Sequence, residues 1–289
     1  MNKNNNKSFF NKNIFNKLGK LPIHLFMGLV AAFWLLPTFG LFIQSLRRGP
    51  DIGQSGWWTV FDNIQSISLE SYLRLLQEPG MFNAFLNTFR ITLPTTFFVV
   101  FLAATAGYAL SWISFKGDDT IFLIVVGLMV VPTQMAFIPM ARIYQFFGIF
   151  GSISGVILFH ITFGLPFAVF LLRNFFKGVP KELLEAAFMD GASHFTIFLK
   201  IILPLAKPAL ASITILQFLW TWNDMLIALI FADSRYAPLT TAIYSQMRNF
   251  SANVDVIAPG AFLQLLIPLA IFFAFKQYFV QGLLGGSLD

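Results

Sequence analysis

Residues Ile23–Leu46 read IHLFMGLVAAFWLLPTFGLFIQSL, a run without a single Asp, Glu, Lys or Arg. An α-helix rises about 1.5 Å per residue, so about 20 apolar residues in a row cross the hydrocarbon of a bilayer. This run meets that length, and five more follow it, near Phe85–Phe115, Thr120–Arg142, Ile153–Leu172, Pro208–Phe231 and Pro259–Val280. No stretch alternates apolar and polar residues at period two, as a membrane β-barrel requires. The expected fold is therefore all-α, with six transmembrane helices spanning residues 23–280. Lysines precede the first run, but no small-residue cleavage site follows Leu36-Pro37, so it reads as an uncleaved anchor rather than a signal peptide.

Composition agrees. Of 289 residues, 57% are apolar and only 11% charged, against about 25% charged in soluble domains. A water-soluble core has no room for so much apolar surface, and disorder is excluded by the same numbers. Cys is absent, which removes disulfides, thiolate metal sites and Cys nucleophiles. The net charge of +6 forms no basic stripe with interleaved aromatics, so nucleic acid is not an expected partner.

Lys and Arg in short loops mark the cytoplasmic side. With both termini inside, the inner segments are the basic tail 1–22, the loop near Lys116, the loop 173–207 and the tail 281–289. Every lysine then lies inside, from Lys3 and Lys20 through Lys116, Lys177, Lys181, Lys200 and Lys207 to Lys276. The external segments are 47–84, with Trp57-Trp58 and an amphipathic stretch Leu69–Gln77, and 232–258. The Asn- and Lys-rich residues up to Asn16 read as a solvated tail.

The inner loop 173–207 holds the densest local signals. Pro180 suits the first turn of a helix, where its missing N–H costs nothing. Glu182 and Glu185 sit near the positive end of that helix dipole. Gly191 is placed to stop the helix in a left-handed conformation. Ser193 is placed to cap a second helix, Phe195–Ile202, expected to stop before Pro204. Ala186 and Ala187 remove side-chain bulk, so another protein can approach closely.

The spacing Glu185-Ala186-Ala187, three residues, Gly191, nine residues, Ile201, one residue, Leu203-Pro204 resembles the EAA loop of ABC importer permeases at every fixed position. In that family the loop is a coupling helix received by an ATPase subunit, so the resemblance implies that Glu185, Ala186, Ala187, Gly191, Ile201, Leu203 and Pro204 carry ATPase coupling. The likeness covers almost the whole chain and is strongest to carbohydrate permeases of the maltose-transporter type. It includes Trp57-Trp58-Thr59, Val131-Pro132-Thr133-Gln134-Met135, Phe163-Gly164-Leu165-Pro166, Asp190-Gly191-Ala192-Ser193, Trp222-Asn223-Asp224 and the tail Tyr278–Ser287. These details are most similar to the α-glucoside branch, which imports trehalose, sucrose or glucosylglycerol. Two features depart from it: the chain ends Leu288-Asp289 where relatives carry a basic ending, and Asp224 stands where Glu is common.

The resemblance implies a second homologous permease, two ATPase subunits and an extracytoplasmic sugar-binding protein as partners, within the bacterial plasma membrane. No phosphate-binding G-x-x-x-x-G-K-[ST] occurs, so this chain is expected to bind no cofactor and to catalyse nothing, with ATP and Mg held by the ATPase partners. Candidate substrate-path residues are Trp220, Trp222, Asn223, Asp224 and Gln134. Aromatic faces cover sugar C–H patches, and amides and carboxylates take hydroxyls. A carboxylate deep in a span costs about 2.5–3.5 kcal/mol on insertion scales. Asp224 therefore either lines a wet path or bonds neighbouring helix ends. Gln134 lies between Pro132 and Pro139, where a helix break frees carbonyls, and an interhelical hydrogen bond is its other reading. His160 reads as a packing residue with no metal partner, and Ala103, Ala104 and Gly107 as close helix contacts. Two other classes stay open: an ion-coupled transporter using Asp224, and an ABC permease for a non-sugar solute.

Overall fold

The computed structural model describes residues 5–248 and 254–285, which are helical with two isolated β-bridges and no strand. Parts of the expected external loop 232–258 and the ending Leu288-Asp289 lie outside the described residues. Helix α1, Asn5–Ser45, is one element of 41 residues. It starts well before Ile23, so the described part of the basic stretch continues the helix instead of leaving it as a coil.

After α1 the chain folds into a compact cap of α2 (Gly49–Gln54), two 3₁₀ turns (Trp57–Phe61 and Ile64–Ser66) and α3 (Glu70–Gln77). The expected amphipathic segment is thus a helix. Arg47 organises this cap from within, only 2% exposed. Its guanidinium donates to the carbonyls of Ser55 and Asp51, each at 2.8 Å, and to Ser55 Oγ at 2.6 Å. Ser71 Oγ on α3 donates to the Arg47 carbonyl at 2.7 Å.

Helix α4 (Pro79–Trp112) is followed by α5 (Asp118–Leu128), a 3₁₀ turn and α6 (Phe137–Phe146), then by α7 (Ile153–Lys177). Next come α8 (Lys181–Met189), α9 (His194–Ile197), a π-helical turn (Phe198–Ile202) and α10 (Leu203–Leu205). The chain continues with α11 (Lys207–Trp222), α12 (Leu226–Phe231), α13 (Leu239–Arg248) and α14 (Val254–Gly285). Among the described residues, four helices are long and apolar enough to cross a membrane, rising to six crossings if each of two bent pairs counts as one.

Helix breaks correct two expectations. The run Thr120–Arg142 is not one helix, because α5 and the segment Thr133–Phe146 meet at 96°. Pro132 lacks the N–H that would continue α5, and the residue before it is pushed to extended backbone. The run Pro208–Phe231 is also divided. Helix α11 has 16 residues, about 24 Å, and it stops at Trp222 before α12 begins.

The centre of the bundle is the contact between α4 and α7. Val99 and Ala103 face Ala168, Leu172 and Phe176, all fully buried. At Gly107 even a methyl group would come within 3.2 Å of the Arg173 backbone nitrogen. Small residues here allow the backbone approach that drives helix association in lipid, where burial of apolar surface adds nothing.

The buried guanidinium of Arg47 gives a direct test of the cap. Arg47→Met keeps the side-chain length but removes every guanidinium bond and leaves the Ser55 carbonyl without its donor, a loss of about 3 kcal/mol. The thermal midpoint in detergent should fall by several degrees, with protease cuts appearing first between residues 48 and 69. An unchanged midpoint and cleavage pattern would refute this role.

Candidate functional site

The loop after α7 is built by short-range rules. Pro180 stands at the N-cap of α8, one position before the first helical residue, with an extended ψ of 130°. The helix ends in a Schellman motif: Gly191 N–H donates to Phe188 O and Ala192 N–H to Ala187 O, both at 3.0 Å. Gly191 has φ +78°, a left-handed conformation that L side chains resist. Ser193 Oγ then accepts the Thr196 N–H at 3.3 Å and caps α9. The second helix departs from expectation at its far end. It does not stop before Pro204 but widens into the π-turn and runs on to Leu205. A proline ring clashes with the carbonyl four residues earlier, and a wider turn relieves that clash. The bend, 76°, comes instead between α10 and α11.

The seven expected coupling residues divide by environment. Ala187 is buried, and Ile201 and Leu203 are half-buried against the core shared with α4 and α7. Glu185, Ala186, Gly191 and Pro204 are exposed. Lys181 Nζ lies 2.9 Å from Glu185 Oε1, an i,i+4 pair on the open face, and the hydrogen bond holds the Lys181 ammonium above its usual pKa. The tip is apolar and open: Met189 is 88% exposed, with Phe188, Leu183 and Phe195 beside it.

Tyr108 and Arg173 root this loop in the bundle, and sequence reasoning did not identify their contacts. Tyr108 Oη of α4 lies 3.1 Å from His194 Nδ1, and the His194 ring meets Phe188 edge-on at 4.9 Å. Arg173, 7% exposed at the foot of α7, donates from Nε to Leu110 O at 3.2 Å. Its guanidinium also covers the Phe122 ring at 3.5 Å and faces Asp119 Oδ1 at 3.7 Å. Arg173 thereby ties α4, α5 and α7 together just before the loop. The only sequence signal was a basic residue at a span end.

The other candidates cluster at the break after α11. Trp222 is 1% exposed. Its Nε1 donates to Gln264 O at 2.9 Å, and Gln264 Nε2 donates back to Trp222 O at 2.7 Å. Phe218 stacks on its ring at 5.3 Å. Asp224 accepts the N–H of Ile227 at 3.1 Å and of Ala228 at 3.2 Å, capping α12. This is the helix-end arrangement weighed above for a membrane carboxylate. His160 Nε2, on α7, stands 3.6 Å from Asp224 Oδ2, a partner 64 positions away in sequence and invisible to local pattern. Trp220 and Asn223 are exposed, and so is Gln134, in the 3₁₀ turn of the α5–α6 break. Gln134 accordingly lies far from the Trp222–Asp224 group in the chain but shares its setting at a helix interruption. Among the described residues no cluster of His, Asp and Glu has the makings of a metal site.

A long helical bundle with an exposed, rooted loop and no nucleotide motif matches one known family. Residues 99–284 correspond to the family described as binding-protein-dependent transport system inner membrane component. The chain belongs to this family. It is thus a multi-pass inner-membrane permease subunit of the ABC import type, with ATP hydrolysis in separate subunits. The osmoprotective compounds uptake permease protein GgtD of Synechocystis sp. is 42% identical over 274 residues, covering 93% of this chain and 92% of that protein. The alpha-glucoside transport system permease protein AglG of Rhizobium meliloti is 43% identical over 228 residues, 76% of this chain and 60% of that one. A bacterial ABC transporter involved in the import of the acidic polysaccharide alginate shares the fold, with TM-score 0.76 over 91% of this chain and 96% of that chain at 21% identity.

The left-handed Gly191 is directly testable. Gly191→Ala should cost about 1 kcal/mol in the Schellman turn. Hydrogen exchange at the Ala192 amide, bonded to Ala187 O, should then quicken about fivefold. Unchanged protection at that amide would remove Gly191 as the determinant of the helix stop.

Proposed function

We propose that this permease imports an α-glucoside or sugar-derived osmolyte, such as trehalose, sucrose or glucosylglycerol, by alternating access. The osmoprotectant and alpha-glucoside transport named for two relatives above 40% identity supports that substrate class. In this reading the chain makes six crossings with both termini in the cytoplasm. It pairs with a second homologous permease and rests on two ATPase subunits that hold ATP and Mg. An extracytoplasmic binding protein delivers the sugar.

The observation that carries the coupling role is the two-faced loop 173–207. Its tip at Met189 is 88% exposed and apolar, while Leu184 and Ile197 behind it are buried in the α4–α7 core. An open apolar tip on a rooted base transmits a push from a docked motor into the bundle. When the ATPases close, the loop moves and the helices pass as rigid bodies between discrete arrangements. Trp220, Asn223 and Gln134 are exposed and line the path in this reading, with Trp222 and Asp224 anchoring the break that carries Trp220 and Asn223. An ion-coupled mechanism is less well supported, because the Asp224 carboxylate is committed to the backbone of α12.

The test is uptake by the full complex in proteoliposomes with its binding protein, screened over trehalose, sucrose, maltose and glucosylglycerol. Uptake should require internal ATP. Gly191→Pro should abolish sugar-stimulated ATP turnover while the chain still inserts into membranes. Vectorial uptake without any ATPase subunit, or normal transport by the variant, would overturn the reading.

A further inference from the structure

The contact between His160 and Asp224 has no place in the coupling loop, and its chemistry is unusual for the interior of this bundle. His160 is 3% exposed and its Nε2 points at Asp224 Oδ2 across 3.6 Å, about half an ångström beyond a normal hydrogen bond. The same carboxylate oxygen caps α12 through Ile227 and Ala228. One side chain of the break therefore holds both the start of α12 and the middle of α7.

The far end of α12 is fastened to the same neighbour. Asp233 N–H donates to Gly151 O at 3.0 Å, immediately before α7. Between these two ties, Ile227 and Phe231 of α12 pack on Val156 and Phe159 of α7 in one buried cluster. Helix α11 also packs on α7, with Gln217 against Gly164, and its end is locked to α14 through Trp222 and Gln264. A small cavity with room for about one water adjoins the junction and is lined by His160, Asp224 and Thr92 of α4. Thr92 is fully buried, and its hydroxyl has no hydrogen-bond partner among the described residues.

We propose that His160 and Asp224 are positioning residues that dock α12 onto α7, so that α7 and α12 move as one body during transport. The pair keeps the step at the break coupled to ATP turnover. The inference rests on the reading of the chain as an ATP-driven permease. Failure of ATP-dependent uptake by the unmodified complex would sink that reading, whereas the variants below test the pair alone.

The experiment measures sugar uptake and ATP turnover together in the reconstituted complex. His160→Phe keeps an aromatic ring but loses the polar contact, and sugar moved per ATP should fall at least fivefold while hydrolysis continues. His160→Gln keeps a donor for Asp224 and should recover most of the ratio. A packing role predicts the reverse order, with Phe tolerated and Gln harmful, and that result would overturn the proposal. A second measurement does not depend on His160 variants. The chain has no native Cys, so Val156→Cys with Ala228→Cys, in an otherwise cysteine-free complex, can be joined by a short bis-methanethiosulfonate, which forms a disulfide with each cysteine and releases sulfinate. Uptake should survive this cross-link between α7 and α12. Its loss on cross-linking, restored by reductant, would show that the two elements separate and would also overturn the proposal.

Discussion

The close approach of α4 and α7 is the contact on which the rest of the molecule depends. In lipid the tails are as apolar as the side chains, so helices associate through fit and polar bonds rather than escape from water. Ala103 and Gly107 provide the fit. With the backbones this close, Arg173 can reach the Leu110 carbonyl and Ser111 can donate to the Arg173 carbonyl at 3.2 Å. The loop that follows is then held by Tyr108, which lies on the same stretch of α4. Core packing and loop placement are thus one arrangement, not two.

A second constraint is the supply of partners for backbone groups wherever a helix is interrupted. Membrane interiors offer no water to a freed N–H. Three of the helix starts bring their own acceptor within a few residues. Ser152 Oγ receives the Gly155 N–H at 3.1 Å at the start of α7, Ser193 does so for α9, and Asp224 does so for α12. Read this way, the acidic residue in the fifth apolar run is less an intrusion of charge than the cost of restarting a helix.

Features that depend on a few adjacent residues could be read from the chain directly. The positions of the apolar runs, the amphipathic helix before α4, the left-handed Gly191 and the Ser193 cap are all settled within one or two helical turns. Features that depend on distant contacts could not. His160 looked like an isolated packing residue because Asp224 is far away in the chain, and Arg173 looked like an ordinary end-of-span cation because Leu110 and Phe122 are remote from it. The run through Pro204 was misread for a different reason. The usual expectation for proline assumes ordinary α-helical spacing, and the π-turn at Phe198–Ile202 changes that spacing. The angle at the Pro132 break likewise needs three dimensions, although the prolines themselves mark its place.

The doubled bond between Trp222 and Gln264 has a mechanical meaning. A single hydrogen bond lets two helices roll or slide about it, but two antiparallel bonds between the same residues act like a pair of dowels. Helices α11 and α14 are therefore geared at that level, and a tilt of one must carry the other. A spin label on the described part of α14 would consequently serve as a remote gauge of α11, without touching the polar junction itself.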